Sequence, residues 1–313
     1  MTRTVLLVTH TGREEARQVA AKVIDKLGDA GVAVRVMADE RHDIPIPEAD
    51  ARVASVVAEG DPLAAEGCEL IVVIGGDGTI LRGAEVARPT GTPILGVNLG
   101  HVGFLAESEV DDLGYTVDHI VKRDYTVEER MTIDVSVRHD GTEIATGWAL
   151  NEVSVEKASR ERMLDVVAEI DGRALSRWGC DGVVMATPTG STAYAFSAGG
   201  PVVWPEVAAL LMVPISAHAL FARPLVVSPS SSMAVTIQHR TPGAVLWCDG
   251  RRAVELPAGA RIEVCRGAQP VRLARLHEAP FTKRLVAKFA LPVEGWRGAR
   301  PRPPGSAHPE HPA

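Results

Sequence analysis

Residues 70–79, Leu70-Ile71-Val72-Val73-Ile74-Gly75-Gly76-Asp77-Gly78-Thr79, constrain the fold of this chain more than any other stretch. An unbroken apolar run of this length reads as a strand buried on both faces, as in a parallel sheet. Ile80-Leu81-Arg82-Gly83-Ala84-Glu85-Val86 then resumes with helix-like residues, so the glycines mark a strand-to-helix turn. Ligands of open α/β sheets sit just outside the carboxyl ends of the strands, and this is such an end. Glycine lets the backbone approach a ligand, and its amides can cradle phosphate. Asp77 adds a carboxylate suited to accepting a proton or holding a sugar hydroxyl. Gly-Gly-Asp-Gly is also an ordinary tight turn. No Gly-Lys-Ser/Thr occurs, which excludes a P-loop, and Leu81 stands where a dinucleotide fingerprint needs its third glycine.

Val5–Val8 predicts a strand, about Glu14–Leu27 an amphipathic helix, and Val32–Val36 a second strand. A helix is expected over Glu48–Glu59, another to about Arg88, a strand at Pro93–Val97 and a helix over Asp111–Arg123. This alternation predicts a doubly wound parallel sheet over 1–125. Asn98–Leu105 is a second glycine-bearing strand end that could meet the first over one cleft.

Near Tyr125 the period changes. Met131, Ile133, Val135 and Val137 alternate with polar residues, and Asp140-Gly141, Asp171-Gly172 and Asp249-Gly250 are hairpin signals. Residues 126–276 therefore read as an antiparallel β-rich domain, sandwich-like, with Ser191–Leu211 as a helical or loop insertion. Residues 277–294 read as a return segment packing on the first domain, and 295–313 as a disordered tail.

With 313 residues the chain can bury a substantial core, and a net charge of −7 argues against nucleic acid or an anionic membrane as partner. Four dispersed cysteines imply neither zinc nor disulfides. The amino terminus lacks a signal-peptide pattern, and Ala208–Ile215 is too short to span a bilayer, so a cytosolic protein is expected.

Two further clusters carry chemistry. Cys180–Tyr194 runs from a strand into Thr187-Pro188-Thr189-Gly190-Ser191-Thr192-Ala193-Tyr194, where hydroxyls, a helix start and an aromatic face suit a nucleoside, although capping would use some of them. Asn151-Glu152 interrupts an apolar stretch, which is costly unless the pair faces a cavity or partner. Glu152 could accept hydrogen bonds from a ribose diol; a pair at a strand edge is the other reading.

Together with Thr187–Pro201 and Asn151-Glu152, the Gly75–Thr79 turn resembles the NAD kinases, which phosphorylate the 2′-hydroxyl of the adenosine ribose of NAD. The glycine turn alone is shared with diacylglycerol and sphingosine kinases, and phosphofructokinases have a related one. The resemblance covers nearly the whole chain except the tail. It implies an α/β first domain, a β-sandwich-like second domain and an active site in the cleft between them. It also implies Asp77 as general base, and Gly75, Gly76, Gly78 and Arg82 near phosphates. Asn151 and Glu152 would hold adenosine and Tyr194 would lie against adenine. Asp181, Thr192, Ala193 and Ser197 would contact the rest of the dinucleotide, and Arg162 the substrate. Gly179 stands where some relatives carry a polar contact, Arg251 stands where relatives often carry an amide, and His218 reads as structural. Expected substrates are NAD and ATP or polyphosphate, with Mg²⁺ arriving on the donor, in a homodimer or homotetramer. A lipid kinase would share the turn but should show a membrane-facing surface. A non-catalytic dinucleotide sensor would have no need of Asp77.

Overall fold

The computed structural model describes residues 3–47, 50–100, 103–106, 108–109, 112–159, 162–241, 243–276 and 280–293. In chain order the first part contains β1 (Thr4–Thr9), α1 (Glu14–Asp29), β2 (Ala33–Met37), α2 (Ala38–Arg41), β3 (Val53–Val57) and β4 (Leu70–Ile74). It continues with α3 (Asp77–Ala87), β5 (Ile94–Asn98), β6 (Ser108–Glu109), α4 (Leu113–Lys122) and β7 (Thr126–Arg130). The second part contains β8 (Ile133–His139), β9 (Thr142–Ala149), β10 (Glu152–Lys157), β11 (Leu164–Ile170), β12 (Arg173–Cys180) and β13 (Gly182–Ala186). A 3₁₀ turn, Thr189–Thr192, and α5 (Tyr194–Ser197) follow, then β14 (Leu210–Ile215), β15 (Leu225–Val227), β16 (Met233–Ile237), β17 (Ala244–Cys248), β18 (Arg252–Leu256) and β19 (Arg261–Arg266). The chain ends with β20 (Val271–Arg275) and α6 (Phe281–Phe289).

The first sheet runs β3-β2-β1-β4-β5-β20-β7, with β6 on β5. Strands β1 to β5 pair in parallel, as the apolar runs predict. Leu70, Val72 and Ile74 join the core under α1 and α4, while Ile71 and Val73 join the one under α3. A strand clad by helices on both sides has no wet face, which is why its sequence shows no alternation. The doubly wound reading holds, with two corrections. Val53–Val57 is an edge strand, not the helix expected over Glu48–Glu59, whose residues 48 and 49 lie outside the described residues. Three valines in five positions favour the pleat, and β2 supplies the ladder. Strands β7 and β20, expected among the 126–276 strands, pair antiparallel with one another inside the first sheet, and β20 also bridges to β5.

The β domain is two antiparallel six-stranded sheets, β15-β14-β13-β10-β17-β18 and β12-β11-β16-β19-β8-β9, closed over one apolar core. Its three Asp-Gly turns have positive φ at both residues, the geometry that joins two strands by a two-residue hairpin. The expected insertion over Ser191–Leu211 is two short turns and a loop, and its last residues already belong to β14.

Helix α6 lies against both domains. Phe104 packs at a tilt against Phe281 and Phe289, Phe196 against Phe289, and Trp204 meets Phe281 edge-on. Arg284 donates to the Phe104 and Ala106 carbonyls. The tail from residue 294 lies outside the described residues.

The domains also meet along α3. Leu150 shares a core with Leu81, and the Trp148 ring lies between the guanidiniums of Arg88 and Arg252, each 4.6 Å from its centre. Glu85 binds Arg251 at 3.1 Å and Arg252 at 3.2 Å.

Candidate active site

The turn after β4 is built for close approach. Gly75 has φ +153°, and a Cβ there would run into Thr79. Asp77 is the first residue of α3, and its carboxylate accepts the Phe104 amide at 3.0 Å and the Leu105 amide at 3.1 Å. Two amides on one carboxylate fix its orientation. Gly103 permits this, because a Cβ there would collide with an Asp77 oxygen. The expectation that the second glycine-bearing strand end meets the first is met through these two amides; His101 and Val102 are outside the described residues.

Beside the turn lies a cavity of about 520 Å³ lined by the loop after β1, by Gly76, Gly78 and Thr79, and by Arg82 and Arg251. β1 is the parallel neighbour of β4, so the two strands end together, and His10 donates its amide to the Ile74 carbonyl at 3.0 Å. Arg82 is anchored from behind. It pairs with Glu40, which is 1% exposed, donates to the Thr9 carbonyl at 3.0 Å, and reaches Asp39 at 3.4 Å. Glu40 itself accepts the Thr9 amide at 2.7 Å. His10, Arg13, Arg82 and Arg251 make this cavity receptive to anions.

The second wall is the start of β10. Strand β10 sits between β13 and β17 in the interior of its sheet, so the strand-edge reading of Asn151-Glu152 does not hold. Asn151 and Glu152 are 8% and 7% exposed. Asp249 is tucked beneath them, accepting the amides of Leu150 at 3.0 Å, Asn151 at 2.7 Å and Glu152 at 3.4 Å, and the Arg252 guanidinium at 3.0 Å. The Thr187 hydroxyl donates to the Leu150 carbonyl at 2.6 Å and accepts the Gly190 amide at 3.1 Å. Gly190 presses on the Asn151 backbone so closely that any Cβ would overlap it. Burial, and then the Asp249 charge, push Glu152 up to about 8. At neutral pH it is mostly protonated and can donate one hydrogen bond as well as accept others. Burial also raises Asp249, against the amides that favour its charge.

The Thr189–Ser197 stretch divides its labour. Ser191 is fully buried and structural, exchanging hydrogen bonds with the Val203 carbonyl at 3.1 Å and amide at 2.9 Å. The Thr192 hydroxyl donates to the Thr189 carbonyl at 3.3 Å, and the Tyr194 amide reaches Glu152 at 3.4 Å. Thr192, Ala193 and Tyr194 are half-buried, and Ser197 is exposed.

Asp181 stands apart. It precedes β13, whereas Thr187–Tyr194 follows it, so the five residues of β13 put it about 16 Å from the corner at 3.3 Å per residue. It pairs with Lys157. Burial, and then the charges of Glu156, Glu152 and Asp181, raise the Tyr194 pKa. Arg162 is exposed just before β11. His218 donates its amide to the Gly179 carbonyl at 2.8 Å, a structural bridge. Among the described residues, no group of three His, Cys, Asp or Glu could hold a metal, and no helix is long and apolar enough to cross a membrane.

Sequence reasoning missed the β1 loop, the Phe104 and Leu105 amides, Glu40, and the second use of Asp249. The β1 loop was findable, because the strand paired beside β4 in a parallel sheet must deliver its own loop to the same edge.

Residues 5–125 match the family described as the ATP-NAD kinase N-terminal domain, and residues 150–276 the ATP-NAD kinase C-terminal domain. The chain is 64% identical to NAD kinase 2 of Streptomyces avermitilis, over 95% of this chain and 97% of that one. It is 63% identical to the NAD kinase of Thermobifida fusca, over 95% and 92%. Among solved structures it resembles yeast NADH kinase complexed with NADH, at 24% identity and a TM-score of 0.85, over 95% of this chain and 90% of that one. An Archaeoglobus fulgidus NAD kinase in complex with ATP gives 24% identity and a TM-score of 0.65, over 93% and 99%. The glycine turn with its clamped aspartate, the Asn-Glu corner and both sequence matches place this chain in the NAD kinase family.

Proposed function

We propose that the protein transfers a phosphoryl group from ATP or polyphosphate to the 2′-hydroxyl of the adenosine ribose of NAD, giving NADP. The observation that carries this reading is the Asp77 carboxylate, fixed by two amides at the rim of a turn whose glycines line an arginine-bearing cavity. A ribose hydroxyl is a poor nucleophile, and a positioned carboxylate contributes about 10²–10⁴-fold by taking its proton. The Gly76 and Gly78 backbone, Arg13, Arg82 and Arg251 receive the donor phosphates, where alignment and charge neutralisation supply most of the remaining acceleration. Gly75 gives the turn its path.

Asn151 and Glu152 hold the adenosine, with the protonated Glu152 donating to one ribose oxygen. Tyr194 lies against the base, and Thr192, Ala193 and Ser197 line its other side. Asp181, away from the corner, and Arg162, exposed just before β11, meet the distal half of the dinucleotide. The donor set fits Mg²⁺ carried by the nucleotide: one carboxylate and the Thr79 hydroxyl stand at the turn, which suits an ion that keeps phosphate oxygens and water as its main ligands. Asp77 and Thr79 would hold such an ion, which would neutralise donor charge. We assign the protein to the cytosol as a homodimer or homotetramer, a state that sedimentation would test.

The deciding experiment is NADP formation from purified protein, NAD and Mg²⁺ with ATP or polyphosphate, read with an NADP-specific dehydrogenase. NADP is expected. Calorimetric NAD binding without NADP from either donor would overturn the reaction in favour of a dinucleotide sensor. Loss of NAD binding too would favour a lipid kinase.

A further inference from the structure

A second cavity, of about 480 Å³, lies under the first turn of α6 and shares no lining residue with the cavity at the glycine turn. Three guanidiniums line it: Arg130 from β7, Arg275 from β20 and Arg284 from α6. Glu128 accepts from Arg130 at 3.0 Å and from Arg275 at 2.9 Å, and the exposed Glu206 stands at the rim. Arg130 is 6% exposed and its Nε is buried without a hydrogen-bond partner. Burial, together with the neighbouring charges of Arg275 and Arg284, pulls Arg130 down to about 10 despite Glu128. The nine-residue α6 also opens into this cavity at Pro280, Phe281 and Thr282, with no acidic residue in its first turn and no side-chain cap. This helix N-terminus adds to the attraction for an anion. Phe104, Trp204 and Phe281 supply aromatic walls.

The cavity is wired to Asp77. The Arg275 guanidinium donates to the Leu105 carbonyl at 3.3 Å, and Arg284 to the carbonyls of Phe104 at 3.1 Å and Ala106 at 2.7 Å. The amides of Phe104 and Leu105 are the two that hold Asp77. One strap of backbone thus has its carbonyls held by the cavity and its amides held by the catalytic carboxylate.

We infer that this cavity binds a nucleoside monophosphate, its phosphate between the arginines and the α6 amides and its base among the aromatic rings, and that the occupant slows phosphoryl transfer by loosening the strap that aims Asp77. Guanidinium–phosphate bonds are stronger than guanidinium–carbonyl bonds, so a bound phosphate draws Arg275 and Arg284 away from the 104–106 carbonyls. The binding half goes beyond the proposed reaction; the kinetic half rests on it.

AMP is the probe. Titrated into the protein it is expected to change the fluorescence of Trp204, which is 39% exposed, with Trp204→Phe identifying the signal. At saturation it lowers kcat about fivefold or more, the lower end of usual coupling. Thr282→Glu, an exposed change that puts a fixed negative charge at the anion position, abolishes the AMP-dependent fluorescence change and, by drawing on the same arginines, lowers activity without AMP so that added AMP lowers it no further. Arg130→Gln weakens AMP binding in the same assay. Inhibition that is purely competitive with NAD and persists in Thr282→Glu would overturn the inference, because AMP would then be entering the acceptor site. So would inorganic phosphate binding as tightly as AMP, since the rings would contribute nothing. A protein that bound AMP at Trp204 but made no NADP would overturn the assigned reaction and leave the cavity assignment standing.

Discussion

Asp77 and Asp249 each stand at the end of a strand and accept hydrogen bonds from consecutive backbone amides, Phe104 and Leu105 for one, Leu150, Asn151 and Glu152 for the other. They differ in exposure. Asp77 is half-open beside a cavity, whereas Asp249 is 6% exposed and carries Arg252 as well. A carboxylate clamped at a cavity rim keeps an oxygen edge available for chemistry. A carboxylate clamped in the interior has every lone-pair direction used, and what it fixes is the backbone around it. The same local device therefore aims the proposed base in one domain and holds up the proposed substrate-binding corner in the other.

Substitutions can break that comparison. Asp77→Asn keeps NAD binding and lowers kcat by about 10²–10⁴-fold, measured by initial rates beside calorimetry. Near-normal turnover would remove Asp77 from the base role. Asp249→Ala strands buried amides and costs about 3 kcal/mol of stability in urea unfolding, whereas Asp77→Ala costs far less. Equal losses would mean that the two clamps serve the same purpose. Gly103→Ala leaves Asp77 in place chemically but pushes it out of aim, lowering kcat roughly ten- to a hundredfold while the unfolding midpoint hardly moves.

The effect at Glu152 is spread over pH. Its folded pKa of about 8 lies above the ~4.3 of an unfolded glutamate, so the folded chain binds more protons between those values. Stability falls as pH rises from about 4.3 toward 8, by at most about 1.4 kcal/mol per unit from this group. Glu152→Gln flattens that decline. Parallel unfolding curves for both proteins from pH 5 to pH 8 would dismiss the assignment.

The residues of the α/β core were legible because a strand buried on both faces must be apolar throughout, as Leu70–Ile74 is. The hairpins were legible because Asp-Gly satisfies a local backbone demand. Sheet membership was not. Val271–Arg275 alternates like the strands of the β domain, Thr126–Arg130 carries a single apolar residue, and only their mutual pairing across 140-odd residues puts them in the first sheet. Val53–Val57 lacks a strand signature because, at the edge of the sheet, none of its five residues is fully buried. At the site, Asn151-Glu152 and Asp77 stood out as polar residues in apolar surroundings. Asp249 did not, because the turn it makes already accounted for an aspartate there. The Phe104 and Leu105 clamp was hidden for another reason: amides carry no residue signature.

The pairing of β7 with β20 also sets an order of events at synthesis. Strand β20 stands between β5 and β7, so the edge of β5 near Ile94 stays uncovered, and β7 unattached, until Leu273 has been made. At about 5–20 residues per second, that wait lasts roughly 10 to 35 s. All strands of the β sandwich lie within the interval. The inserted domain can close on itself before the ribosome delivers the strand that its host is waiting for, and the sheet that begins the chain is the last to be finished.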